Sequence, residues 1–317
     1  MGDFMGKSQG IKANAFAQQK FNITGSTLKI LAIVTMLIDH TGYVLVTHNF
    51  YLNFIMRSIG RIAFPIFVFL LIEGATHTSS KFKYALRLSL FAILSEIPFD
   101  LAFHKELFYF GYQNVFFTLA IGMFMIIVFE SVSKISFSNF FIYVFSFLGF
   151  LSPTAFLMLF YRKAILYQIR LLFKNININS VIFYFILIIA FLLFTSFYFL
   201  FKKNSHGFLA AQKACINLGV LTLALFLVYI LKTDYSELGI LTITAMYTLR
   251  SKKTQSFFLG CLVLIFFMPF EIPALLGLLP VSQYNGARGL KLKYAFYIFY
   301  PSHLLILYFI SFLINKG

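Results

Sequence analysis

Residues Lys29 to Val46 read KILAIVTMLIDHTGYVLV, and this stretch decides what kind of fold the chain adopts. It is apolar enough to begin a membrane span, yet Asp39 and His40 stand side by side near its middle. An ionisable group at that depth costs about 2.5 to 3.5 kcal/mol on insertion scales, so it calls for a compensating partner or a job. At a rise of about 1.5 Å per residue, His40 lies about 16 Å along the axis from Lys29, which puts its imidazole close to the bilayer midplane. Positions 29, 33, 36 and 40 share one face.

The composition around that helix agrees with it. Hydrophobic residues make up 60% of the chain and charged ones 11%, with 45 Phe and a mean hydropathy of +0.87. A soluble globule with this content would expose too much apolar surface. The chain therefore reads as all-α, a polytopic integral membrane helical bundle. Its net charge of +16 is distributed as short Lys and Arg clusters between apolar runs. That is the pattern of positive-inside sorting and contact with anionic membrane lipids, and it argues against nucleic acid as a partner. Cys215 and Cys261 both lie within apolar runs and read as small core residues without disulfide or metal spacing. The Phe, Ile, Lys, Tyr and Asn bias, with no Trp, fits an AT-rich bacterial genome.

In chain order, residues 1–27 are polar and weakly basic and lack an apolar signal region, so with Lys7, Lys12, Lys20 and Lys29 they are expected to stay cytoplasmic. Residues 28–317 then form one transmembrane domain. After a turn around Thr47 to Asn53, RSIGRIAFPIFVFLLIEGATH is expected to open a second span at Arg57, with Arg61 one helical turn further on. The third span ends in SEIPFDLAF, where Glu96 and Asp100 repel one another at a spacing of four. QNVFFTLAIG opens a fourth span, and Phe140 to Tyr161, Val181 to Phe201, Ala214 to Leu231, Leu238 to Leu249, Phe257 to Leu279 and Tyr294 to Ile314 complete about ten candidates. Ten crossings leave Arg162, Lys163, Arg170 and Lys174 outside. A re-entrant Phe140 to Tyr161 instead moves Lys202, Lys203, Arg250, Lys252 and Lys253 outside, so the count stands at eight to ten.

The embedded polar residues carry the functional signal, and each admits a plainer reading. Asp39 and His40 form either a structural tie to Arg57 or Arg61 or a catalytic, proton-handling site. Arg57 at the span mouth suits headgroup snorkelling, whereas Arg61, a turn deeper beside Gly60, is the better site candidate. Glu96 and Asp100 either mark a wet helix end loosened by Pro98 or hold a cation. In FYPSHLL, Pro301 removes a backbone donor near His303, leaving that histidine as a polar plug or a site residue. Gln113 with Asn114, Asp234 with Tyr235, and YNGARG at 284–289 sit where ordinary turn and capping chemistry would also put them. No HExxH, Cys/His quartet or GxSxG pattern occurs, so zinc and serine-hydrolase layouts are excluded and no metal is expected.

The ordered series LKILAIVTMLIDHTG, RSIGRIAFPIFVFLLIEG, SEIPFDLAF, QNVFFTLAIG, TDYSELGILTI, YNGARG and FYPSHLLIL resembles the TraX family, whose namesake acetylates the N-terminus of F-type conjugative pilin. Lys29, ten residues and His40 also resemble the basic-x10-His pattern of the wider group of transmembrane acyltransferases. The resemblance implies an acetyl-CoA dependent acetyltransferase in the bacterial inner membrane, with His40, Asp39, Arg61 and His303 catalytic. It further implies substrate contacts from Arg57, Glu96, Asp100, Asn114, Asp234, Tyr235, Asn285 and Arg288. The acceptor it implies is an amine, as at a pilin-like protein N-terminus, or an envelope glycan hydroxyl. Residues 137–201 lie outside the resemblance.

Acyl transfer needs a base, oxyanion donors and positioning. His40 is the expected base, with Asp39 or a carboxylate of span 3 fixing its tautomer and Arg61 or His303 facing the oxyanion. A direct transfer and an acetyl-His intermediate both fit. Basic loops at Lys81 to Arg87 or Arg250 to Lys253 suit the phosphates of coenzyme A. The competing class is a transporter or flippase using the same intramembrane charges. In either case spans 1, 2 and 3 should be neighbours, with the last span bringing His303 within about 10 Å of His40.

Overall fold

The computed structural model describes residues 23–160, 205–290 and 293–316. The expected span Val181 to Phe201, the basic stretch Arg162 to Lys174 and nearly all of segment 1–27 lie outside these residues. Within them the chain is helical, with two isolated β-bridges, Ile23 to Tyr284 and Gln113 to Thr233. The helices are α1 (Gly25–Leu45), α2 (Phe50–Gly60), α3 (Ala63–His77), α4 (Lys81–Phe103), α5 (Val115–Ser133), α6 (Phe140–Phe160), α7 (Ser205–Leu231), α8 (Ser236–Thr248), α9 (Lys253–Phe267), a 3-10 helix (Pro269–Gly277), α10 (Leu278–Ser282) and α11 (Lys293–Lys316).

Five stretches of the described residues are long and apolar enough to cross a bilayer: Gly25–Leu45, Phe50–His77, Val115–Ser133, Gly207–Leu231 and Phe296–Ile314. Two expected spans are shorter than a crossing requires. Leu238 to Leu249 becomes the 13-residue α8. Phe257 to Leu279 breaks into α9 and a 3-10 helix, because Pro269 and Pro273 cannot donate to the helical ladder.

The second span also begins earlier than expected. Asn49 caps α2 by accepting from Leu52 N at 3.0 Å, and the aromatic stretch that follows is helix rather than turn. Arg57 and Arg61 therefore sit inside the Phe50–His77 stretch, which α2 and α3 share across a turn at Arg61 and Ile62. In the same way α1 starts at Gly25. His40 is thus about 22 Å from its N-terminal end and about 8 Å from the other, displaced from the expected midplane.

The chain packs as two compact units, each assembled from segments distant in sequence. Among the described residues, the first comprises 23–76, Ser95–Phe108, 245–290 and 293–316. Its core contains Leu28 and Ala32 of α1, Ile66 of α3, Phe257 and Leu264 of α9 and Leu304 of α11, all fully buried. Here the 284–290 loop clasps the start of α1. Gly25 N donates to Ala287 O at 2.8 Å, Ser26 N to Arg288 O at 3.0 Å, and Leu290 N to Ser26 Oγ at 3.0 Å. The loop's carbonyls thus satisfy two of the helix's orphan donors. Gly289 has φ +70°, and a Cβ on it would come 2.1 Å from Ser26 Oγ. At the other end of α1, Asn53 Nδ2 donates to Gly42 O at 2.7 Å and Val46 O at 2.9 Å, holding α1 and α2 as a hairpin.

The second unit, described over His77–Leu94, 109–160 and 205–244, packs α7 against α5 and α6. Gly149 and Gly219 allow the α6 and α7 backbones to touch, since a Cβ on Gly219 would meet Gly149 Cα at 2.7 Å.

Candidate active site

α1 presents Asp39 and His40 in different directions, because adjacent helical residues diverge by about 100°. Asp39 faces α2. Its Oδ2 accepts from Arg57 Nη1 and its Oδ1 from Arg61 Nη2, each at 2.8 Å. The approach depends on Gly60, where any Cβ would lie 2.2 Å from the Asp39 side chain. Arg61, in the turn after α2, donates its Nε–H to Arg57 O at 3.1 Å and its Nη1 to Glu271 Oε1 at 2.9 Å. Glu271 on the 3-10 helix is fully buried. Glu271, Arg61, Asp39 and Arg57 thus form a ladder of alternating charge whose formal sum is zero. Removing one partner from such a buried pair costs about 3 to 5 kcal/mol.

His40 faces α11. Its Nδ1 lies 2.8 Å from His303 Nε2, and His303 Nδ1 lies 2.9 Å from Phe299 O. A carbonyl only accepts, so His303 carries its proton on Nδ1 and a neutral ring leaves Nε2 as an acceptor. His40 must then donate through Nδ1–H, which leaves the lone pair of its Nε2 available. The two rings are nearly coplanar at 5.1 Å between centroids. Phe103 and Tyr300 stand edge-on to His40 at 5.1 and 6.2 Å, and Phe299 stacks on His303 at 4.8 Å.

The expected closeness of His40 and His303 is therefore a direct hydrogen bond, and α1 packs on both α2 and α11. Asp39 is held by both arginines, the tie that one of its two readings expects. One detail differs: His303 together with the Phe299 carbonyl, and not Asp39 or a carboxylate of span 3, sets the His40 tautomer. Arg57, which suits headgroup snorkelling by its sequence position, pairs with Asp39. Pro301 lacks the N–H that would serve Tyr297 O one turn back, whereas the carbonyl used by the His303 ring is that of Phe299.

The remaining candidates are spread more widely. Asp100 is buried and Glu96 half-buried, one turn apart on α4 within the first unit. Asn285 and Arg288 belong to the clasp: Asn285 Oδ1 accepts from Ala287 N at 2.8 Å, and the Arg288 side chain is exposed. Asn114, Asp234 and Tyr235 lie in the second unit with local roles. Asn114 caps α5 through Phe116 N at 3.0 Å and donates to Ala92 O at 2.8 Å. Asp234 Oδ1 accepts from Tyr112 OH at 2.7 Å and Tyr235 N at 3.0 Å. In the basic loops, Lys81 pairs with Glu130, Lys253 with Glu73 at 3.2 Å, and Arg250 stacks on Tyr247 at 4.1 Å. No cluster suited to a metal occurs among the described residues.

Glu271 is the site residue that sequence reasoning missed. A signal existed: it is a lone carboxylate in the apolar run FFMPFEIPALL, to which the same insertion penalty applies as to Asp39.

A helical bundle with long apolar helices, a buried charge ladder and a paired imidazole defines a polytopic membrane protein with a polar site among its helices. The chain belongs to the TraX family: the family model described as TraX protein matches residues 24–224 and, in a second overlapping match, 170–311. It is also 30% identical over 108 residues to "Probable fimbrial assembly protein FimC, serogroup H1" of Dichelobacter nodosus. That alignment takes in 32% of this chain and 44% of the relative, so the chain spans less than half of the relative's length. No solved structure matches the chain.

Proposed function

We propose that this protein is an acetyltransferase of the bacterial inner membrane, with residues 1–27 on the cytoplasmic side. It would move an acetyl group from acetyl-CoA to an amine such as the N-terminus of a pilin-like protein, with an envelope hydroxyl as the other acceptor class. The observation that carries this reading is the His40 Nδ1 to His303 Nε2 hydrogen bond, which frees His40 Nε2 to act as a base. The acceptor nitrogen attacks the thioester carbonyl carbon, the C=O pair moves onto oxygen, and His40 Nε2 takes the N–H proton. The C–S bond then breaks, and the leaving thiolate receives that proton. His303 supports the resulting imidazolium by accepting from Nδ1–H, the orienting part that a carboxylate plays in other triads. An α-amine, with a pKa of about 7.7 to 8.0, is partly neutral at working pH, whereas a lysine near 10.4 is not. The TraX family membership and the fimbrial name of the relative support a pilin-like acceptor.

The test is acetyl transfer from labelled acetyl-CoA to a pilin N-terminal peptide by the purified full chain in nanodiscs. Wild type should label the peptide and His40→Ala should not, with both inserting equally. Labelling by His40→Ala at the wild-type rate would remove the assignment.

A further inference from the structure

We propose that Arg57, and not the deeper Arg61, presents the N–H groups that face the thioester carbonyl and stabilise its oxyanion. This rests on the acetyl-transfer reading. Arg61 is a poor donor to substrate because its Nε, Nη1 and Nη2 already serve Arg57 O, Glu271 and Asp39, with only 10% of its side chain exposed. Arg57 is 26% exposed, and its one hydrogen-bond acceptor among the described residues is Asp39. That single ion pair aims the guanidinium while leaving the rest of its planar fork to bind elsewhere.

Successive ring contacts link this guanidinium to the base. The Arg57 guanidinium lies over the Tyr43 ring at 5.1 Å, Tyr43 packs on Phe103 at 4.9 Å, and Phe103 stands edge-on to His40 at 5.1 Å. Tyr43 and Phe103, tilted 54° to one another, thus make a chain of ring contacts with the cation at one end and the imidazole at the other. An acyl thioester lying across it would meet a fixed donor and a base together. The charge count also fits. The ladder is neutral beforehand, and the negative charge formed on the carbonyl oxygen is matched by the proton gained at His40. A donor held in place before charge develops needs no reorganisation as it forms.

The experiment compares Arg57→Gln, Arg57→Lys and Asp39→Asn/Arg57→Gln with wild type and His40→Ala in nanodiscs. It measures kcat, KM for acetyl-CoA, and affinity for two coenzyme A analogues. One is a thioether with no carbonyl, and the other a trifluoromethyl ketone that adopts a tetrahedral form. Arg57→Gln should lower kcat about 10²- to 10³-fold with little change in KM. It should weaken the ketone and not the thioether, and the double variant should recover nothing. If Arg57→Gln does not insert, Arg57→Lys takes its place, because it keeps the charge and loses the fork; the same selective loss is expected from it. A wild-type kcat, equal loss of both analogues, or recovery in the double variant would each overturn the proposal and leave Arg57 as an ion-pair partner of Asp39. An active wild type and dead His40→Ala beside an active Arg57→Gln would sink this inference alone, whereas an inactive wild type would sink both.

Discussion

His40 Nδ1 is hydrogen-bonded at 2.8 Å to Nε2 of His303, a residue 263 positions further along the chain, and the second ring is fixed in turn by the Phe299 carbonyl. A backbone carbonyl thereby decides which nitrogen of a distant imidazole is left bare.

His303→Ala should therefore cost acetyl transfer roughly 10²- to 10⁴-fold, because His40 loses the acceptor that holds its tautomer. His303→Gln, which keeps an acceptor oxygen, should recover part of that loss. Turnover of both variants at matched membrane content decides it, and equal activity of the two would speak against the tautomer role.

Glu271→Ala should act on stability more than on chemistry. It leaves Arg61 buried with half of its counter-charge, a defect worth about 3 to 5 kcal/mol. Thermal unfolding in detergent should show a clear fall in Tm for this variant, larger than the fall for His40→Ala.

Gly289→Ala should loosen the clasp on α1. Its φ of +70° disfavours a side chain, and the new Cβ would collide with Ser26 Oγ and with Oγ1 of Thr24, the helix's N-cap. Gly286→Ala, at φ +81° but facing only the flexible end of Lys253, should be milder. Limited proteolysis near residues 284–290 would rank them.

Tyr284 introduces a pH dependence. Partial burial and the Glu73 carboxylate, which accepts its hydroxyl proton, push the phenol up to about 12 from an ordinary 10. A folded-state pKa above the unfolded one means a stabilising contribution present below pH 10 and lost as pH climbs toward 12. The Tm difference between wild type and Tyr284→Phe should therefore shrink over that window, and a constant difference would contradict the cause.

Much of this is legible in the sequence. The insertion penalty marked Asp39 and His40, and the same argument required Asp39 to meet an arginine, which it does. The legible part ended where a partner depends on direction. Asp39 and His40 are neighbours in sequence, which leaves open whether Asp39 orients the imidazole or meets an arginine, and about 100° of helical rotation sends them to different helices. Glu271 escaped because its partner Arg61 lies 210 positions away and its own surroundings are proline-broken apolar chain. Asn114 and Asp234 enter the site only through the resemblance, while their position beside apolar runs predicts the caps and turns that their contacts are. The start of α2 was hidden by aromatic residues resembling a loop, although Asn49 is a cap that could have been noticed.

Because one helix carries both the ladder and the imidazole, the two are rigidly geared. The arginines on Asp39 act as a bearing that sets the rotational phase of α1, and that phase determines whether His40 meets His303. Alignment of the base thus leans, across the helix, on the bare backbone of Gly60, which lets Asp39 approach and touches neither imidazole.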